Sequence, residues 1–342
     1  MGDIFLPRTC VVCGRRLLMR ERYLCLSCAA DLPLTLFWET DHNVMADKFN
    51  DLVERRLAAI PGDRTPATSA GSLSAVSPVG LSGASSAGLS AVSPAGLSAR
   101  EPYAYAAALF YYNSQAPYRK IPQALKYQGA IGVGRHFARM LGERLAGSAL
   151  FSDVGLVVPV PLHWTRRRKR GYNQAEVIAR EIAAALCAPM DARLLRRRRR
   201  TRTQTRLSVA EKAANVGGAF AVRPGRLNRW LSVSWPGSSD VLEVSGTSIA
   251  SGVSCTSGLP SVSGADGGVF APEGVDLSAS GAQGGAFAPG EGLHILLVDD
   301  VFTTGATLEA CHEALRAAFS QRGIGPDRVR ISVATLAFVG RL

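Results

Sequence analysis

The stretch HILLVDDVFTTGATL, residues 294–308, decides how this chain folds. Ile295, Leu296, Leu297 and Val298 form an uninterrupted aliphatic run, the pattern of a parallel strand buried on both faces. The run ends in two adjacent carboxylates, Asp299 and Asp300. Val301 and Phe302 follow, then Thr303, Thr304, Gly305, Ala306 and Thr307, a loop of hydroxyls and small residues that opens a helix at about Leu308. Backbone amides and hydroxyls at a helix N-terminus make a good phosphate site. Two acids capping a buried strand are costly without a ligand. One unit therefore offers a place for a sugar hydroxyl pair beside a phosphate.

This segment resembles the phosphoribosyl-pyrophosphate motif of type I phosphoribosyltransferases. The resemblance implies that Asp299 and Asp300 hold the ribose hydroxyls, while Thr303, Thr304, Gly305, Ala306 and Thr307 wrap the 5′-phosphate. In the 6-oxopurine salvage enzymes the first loop position is an acid that acts as a base; here it is Thr303. Hypoxanthine or guanine salvage is therefore not expected.

Working outward, the pattern repeats. Tyr103 to Tyr112 is expected to hold a strand or two, and Val154 to Leu162 another, with its prolines only at the C-terminal end where pairing can stop. Apolar residues at Phe137, Met140, Leu141 and Leu145 predict a helix over 135–145, and Ala175 to Leu186 reads as a second. Leu308 to Phe319 and Val329 to Leu336 supply the last helix and strand. Strands alternating with helices mean an α/β fold, a parallel sheet flanked by helices as in the type I phosphoribosyltransferases. Ligands in such sheets bind beyond the strand C-termini. Cys187 and Cys311 fall on these helices and are expected to be small buried residues.

Cys10 and Cys13 form one CxxC pair and Cys25 and Cys28 another, eleven residues apart. Each pair can grip one tetrahedral metal from a tight turn, and Zn²⁺ is the expected ion. Four thiolates leave no open position, so the site is structural. Residues 66–100 and about 231–292 are low in complexity and carry short internal repeats. They are read as disordered inserts. The expected organisation is a zinc-ribbon module and connecting segment at 1–60, an insert at 61–102, and an α/β domain over 103–342 interrupted at about 231–292.

The chain of 342 residues has 39 Lys+Arg against 27 Asp+Glu, a formal charge of +12. Between Arg166 and Arg206 there are fourteen basic residues and three acids, a difference of +11. Such a block needs an anionic partner or a solvated loop. No secretory pattern and no apolar run of membrane-spanning length is seen, so no membrane insertion and a cytoplasmic location are expected. The loop from His163 through Arg166–Arg170 to Asn173 and Gln174 is expected to face a pyrophosphate. His163 could bind phosphate or serve as a neutral hydrogen-bonded loop residue. The second run, Arg193 and Arg196–Arg200 into Arg202, lies where type I phosphoribosyltransferases carry a mobile loop that closes over the substrate. It also suits a DNA backbone. No Ser/His/Asp or Cys/His nucleophile arrangement is evident.

The order of parts resembles the ComF family of competence-associated, phosphoribosyltransferase-like proteins with an N-terminal zinc ribbon. The parts are the paired CxxC module, LKYQG (125–129), VPVPLHWTRRRKRGYNQAEVIA (158–179), RTRTQTRLSVAEKAANVGGAF (200–220) and LLVDDVFTTGATL (296–308). The resemblance implies a role in uptake of transforming DNA and a retained phosphoribosyl-pyrophosphate site. Lys126 matches the LKY element, and Arg170, Asn173 and Gln174 match the RGYNQ element. These, with Arg202, are the pyrophosphate and lid candidates. Two readings follow. One is a phosphoribosyltransferase working with Mg²⁺ on an unknown acceptor. The other is a non-catalytic competence factor that senses a nucleotide or phosphoribosyl pyrophosphate and binds single-stranded DNA or a helicase partner.

Overall fold

The computed structural model describes residues 8–58, 101–113, 115–127, 129–198, 218–234 and 292–340. Along the chain these form α1 (Leu26–Ala30), α2 (Val44–Ala58), β1 (Ala106–Tyr112), α3 (Lys120–Tyr127), α4 (Ile131–Ala146), β2 (Val154–Pro159), α5 (Trp164–Arg170) and α6 (Gln174–Ala185). Then come β3 (Leu195–Arg197), β4 (Phe220–Val222), α7 (Pro224–Ser234), β5 (Leu293–Phe302), α8 (Ala306–Ser320) and β6 (Val329–Val339). Most of both low-complexity segments, and Arg202 with them, lies outside the described residues.

The aliphatic runs of β1, β2, β5 and β6 make one parallel sheet in the order β1-β6-β5-β2. Side chains alternate across a strand, so each central strand feeds two cores. Ile295 and Leu297 of β5 join Val329, Ile331 and Val333 of β6 on one face, under Phe49 of α2 and Leu308, Leu315 and Phe319 of α8. Leu296 and Val298 pack on the other face with Phe137 and Leu141 of α4 and Ile178 and Ile182 of α6. Burying each such side chain stabilises by about 1.5–3 kcal/mol, which is why a run such as Ile295–Val298 is apolar at every position. Helices α4 and α6 lie so close that a Cβ on Gly142 would come within 2.8 Å of Ala185 Cβ.

The helix after β2 lies on one face and the helix after β5 on the other. Their connecting segments therefore diverge at the C-terminal edge of the sheet and open a crevice there. Next to it, β3 and β4 form a short antiparallel pair, Arg196 opposite Ala221. Asp191 fastens this pair to α7 by accepting from Arg226 Nη2 at 2.8 Å, Arg226 Nε at 2.9 Å and Trp230 Nε1 at 2.9 Å.

Several expectations need correction. The segment 164–170, read as a loop, is helix α5; four of its five basic residues crowd the last turn, where the helix dipole favours cations. Arg196 and Arg197 sit in a strand rather than a loop. The strand bearing Asp299 and Asp300 does not stop there but pairs on to Phe302, opposite Phe338. Strand β2 stops at Pro159. Cys187 falls past the end of α6, exposed and at a φ of 51°, while Cys311 is buried as expected. Helix α7 runs to Ser234, into the segment read as an insert. Helix α2 was not anticipated: Asn43 caps it by accepting from Met45 N at 3.1 Å and Ala46 N at 3.0 Å, and also donates to Ala106 O at 3.0 Å.

At the opposite, N-terminal edge of the sheet, His294 is buried between Asp153 (2.6 Å to Nδ1) and Ser332 Oγ (2.8 Å to Nε2). Three residues far apart in sequence thus adopt a Ser/His/Asp arrangement that no sequence spacing revealed. Its serine is sealed: Ser332 is 0% exposed, and its hydroxyl already accepts from Tyr105 N at 3.1 Å. The cluster is structural, joining β1, β5 and β6. Burial holds His294 below the usual imidazole range despite Asp153. Asp153, although burial opposes it, is drawn below the usual carboxylate range by the His294 hydrogen bond. Both shifts have one sign: the unfolded chain takes up protons that the folded chain refuses. Stability should therefore fall as pH drops below about 6.5, and fall further through the carboxylate range. Thermal melts between about pH 7.5 and about pH 5 should show this decline, with a flatter profile in His294→Gln.

Candidate functional site

Strand β5 delivers the two acids to the crevice because the buried run before them fixes its register: Val298 pairs with Ala334 and Asp299 with Thr335. Asp299 Oδ1 accepts from the amide of Asp300 at 2.8 Å. Asp300, 9% exposed, meets Lys126 Nζ at 2.9 Å across the crevice from α3. Burial works against the Lys126 charge, but Asp300 and then Asp299 outweigh it and hold the ammonium above the usual lysine range. Asp299 fares differently. Burial and the Asp300 charge push it up to about 7, against the Asp300 amide, Lys126 and Arg197. One lysine cannot satisfy both acids. The pair is held at a cost, as two like charges sharing a site must be.

The loop after β5 reaches α8 through Gly305, at φ 79°. A side chain there is excluded twice over. The left-handed backbone favours glycine, and a Cβ would lie 2.7 Å from both Leu52 Cδ1 and Phe302 Cζ. No side chain caps the helix, so its first amides depend on other partners. Thr303 is exposed and Thr304 and Thr307 are half-buried, leaving hydroxyls accessible beside those amides; Ala306 is buried. The helix dipole and the amides suit an anion here.

The LKYQG and RGYNQ elements meet on the facing wall. Tyr172 donates its hydroxyl to Leu125 O, and the Arg170 charge reaches Lys126. Arg170 Nη1 donates to Gln174 Oε1 at 3.0 Å, and Gln174 Nε2 is buried without a hydrogen-bond partner. An orphaned buried amide is worth about 1–3 kcal/mol to any acceptor that satisfies it. Asn173, by contrast, spends its amide on Val160 O at 3.0 Å and acts as a brace. His163 takes the bland reading: it caps α5 through Nδ1, which accepts from Thr165 N at 3.3 Å.

Arg197 reaches the same centre from β3, and its charge helps ionise Asp299. Sequence reasoning grouped it with a lid; the signal it missed was strand alternation in a three-residue segment too short to read. Between β3, α5 and α6 lies a cleft of about 430 Å³, which Arg197 also lines.

The four cysteines form the second centre. Their sulfurs all lie within 4.8 Å of one another, with Cys13 and Cys25 at 3.7 Å. Bonds of about 2.3 Å in a tetrahedral Zn²⁺ site place sulfurs about 3.8 Å apart, so the set fits zinc. Burial opposes ionisation of Cys10, but the amides of Cys13, Cys25 and Val12 bring it down to about 6. The module is joined to the sheet. Lys120 Nζ donates to Val12 O at 2.6 Å, and Leu34 bridges Phe110 of β1.

Among known proteins, the chain is similar to Competence protein F of Haemophilus influenzae, at 29% identity over 103 residues. The match covers 29% of this chain and 45% of the relative, so it spans less than half of that protein's length. No protein-family model and no solved structure matches the chain. The curated match supports the ComF resemblance carried by the motifs. Among the described residues, no helix is long and apolar enough to cross a membrane.

Two outcomes follow from this geometry. Asp299 keeps a proton that the unfolded chain loses, so its contribution to stability is full below about pH 4 and is lost as pH rises through about 7. Asp299→Asn should therefore melt about 2–5 °C above wild type near pH 8, with the gap closing towards pH 4. Elemental analysis should find one zinc per chain, absent in Cys13→Ser. Because the cysteine module pairs with β1, a chelator should lower the melting temperature of the α/β domain as well.

Proposed function

We propose that this chain, with its supported resemblance to the ComF family, binds phosphoribosyl pyrophosphate together with Mg²⁺ at the C-terminal edge of its sheet and serves DNA uptake. The observation that carries the reading is the acid pair. Asp299 and Asp300 sit beside an uncapped helix N-terminus, and Asp299 is pushed up to about 7. Nothing in the fold is gained by that arrangement, whereas a sugar diol hydrogen-bonds to both carboxylates. The loop from Thr303 to Thr307 then receives the 5′-phosphate on backbone amides and hydroxyls.

Lys126 is the residue that must change partner. In the unliganded chain it neutralises Asp300 at 2.9 Å. When ribose hydroxyls occupy the acids, the ammonium is free to turn to the pyrophosphate, joined by Arg170 and the orphaned Gln174 amide. Mg²⁺ arriving with the ligand beside Asp299 and Asp300 would supply further charge neutralisation. The protein's own work is positioning and charge stabilisation; no side chain is needed as a nucleophile.

A second reading draws on the arginine surplus. The chain acts as a competence factor without turnover, sensing the ligand while its basic surface holds single-stranded DNA or a helicase partner. Pyrophosphate release in the presence of an acceptor separates the two.

Calorimetry with phosphoribosyl pyrophosphate and Mg²⁺ tests the site. Binding is expected in the range of about 1–100 μM, weakened at least about a hundredfold in Asp299→Asn/Asp300→Asn. Lys126→Ala should lose affinity for the pyrophosphate-bearing ligand but not for ribose 5-phosphate. Absence of binding by a folded wild type would sink the proposal.

A further inference from the structure

The cleft beside the acid pair is more basic than one pyrophosphate requires. Arg193, Arg196, Arg197 and Arg223 line it, with Trp164 at its rim. Glu176, the acid among its lining residues, is already shared between Arg167 at 3.6 Å and Arg180 at 3.5 Å. Arg193, Arg196 and Arg223 have no acid partner among the described residues. The β3–β4 pair sets this arrangement: Arg196 stands opposite Ala221, and the turn into α7 brings Arg223 to the same opening through its amide bond to Leu194 O at 2.9 Å. Trp164 is 63% exposed, so its ring is not held there by burial.

We propose that this cleft holds the acceptor of the transferred ribosyl group, and that the acceptor is a small planar nitrogen compound bearing its own carboxylate or phosphate. The inference rests on the phosphoribosyl reading above and adds the substrate class. Three features carry it. A cleft of about 430 Å³ has room for a ring with one or two substituents. Uncompensated guanidinium groups repel one another until an anion arrives, and they recognise carboxylate or phosphate through paired donors. Arg197 belongs to both places: it lines the cleft, and its charge bears on Asp299. Val160, which leads into the cleft-lining Pro161 and Leu162, donates its amide to Val298 O at 2.8 Å, next to Asp299, so a ring near Trp164 with its anionic group on Arg196 and Arg223 would face a ribose held by the acids. A neutral base would leave those cations unpaired. In the transfer, the acceptor nitrogen bonds to C1′ as the C1′–O bond to pyrophosphate breaks. The bonding pair leaves with pyrophosphate; an acceptor N–H gives its proton to water, and a pyridine nitrogen, having none, keeps the positive charge.

The test uses two matched pairs of probes on the full chain: nicotinate against nicotinamide, and orotate against uracil. Calorimetric titrations are run with and without phosphoribosyl pyrophosphate and Mg²⁺. At least one anionic probe should bind about tenfold or more tightly than its neutral partner. Arg196→Gln/Arg223→Gln should erase that preference while leaving the affinity for phosphoribosyl pyrophosphate unchanged. Equal binding of the charged and neutral probes, or a preference that survives in the double variant, overturns the proposal. Oligothymidylate binding through the same two arginines, with neither small anion binding, assigns the cleft to nucleic acid and overturns it too. If phosphoribosyl pyrophosphate fails to bind but an anionic probe binds through the arginines, the transferase reading falls and the anion cleft stands without it.

Discussion

A strand covered on both faces cannot run into two carboxylates unless something beside them accepts them. In this chain that constraint organises the crevice. From Ile295 to Val298 strand β5 is apolar and covered on both faces, and the acids fall where the cover divides, α6 on one face and α8 on the other. Lys126 comes from α3 to meet Asp300, and Tyr172 ties the wall carrying Arg170 to the backbone of Leu125. Arg197 reaches in from the β3–β4 pair. Remove the acids and these approaches lose their common target, while the hydrophobic layers, which depend on Ile295, Leu297 and their neighbours, keep theirs. Site and fold share a strand but draw on different residues of it.

The same division explains what could be read from sequence. The four long strands and helices α4, α6 and α8 were legible because each carries a run or a helical stripe of apolar residues, and the turn from β5 into α8 was legible because glycine and hydroxyls sit at fixed offsets. Helix α2 was not, since only Met45, Ala46, Phe49 and Val53 are buried and its other face is highly charged. Helix α5 buries nothing, so no periodicity could separate it from a basic loop. Asn173 and Gln174 could be placed at a helix start, yet their different fates depend on the carbonyl of Val160, which lies thirteen residues away from Asn173. The four cysteines converge as their spacing implied. That the module they form is stitched to β1 and α3 depends on backbone contacts that carry no sequence signature.

The ComF resemblance and the geometry support each other at different levels. The curated match covers part of both chains and speaks to biological context. The acid pair, the uncapped helix and the orphaned Gln174 amide speak to ligand chemistry, which a fold alone does not determine. Neither depends on the low-complexity segments.

The bond between Tyr172 and Leu125 has a further consequence. It joins the turn before α6 to the last residues of α3, so the two banks that carry Arg170 and Lys126 form one mechanical body. A shift of either bank is thus felt by the other. A ligand that engages Lys126 alone therefore still sets the position of Arg170.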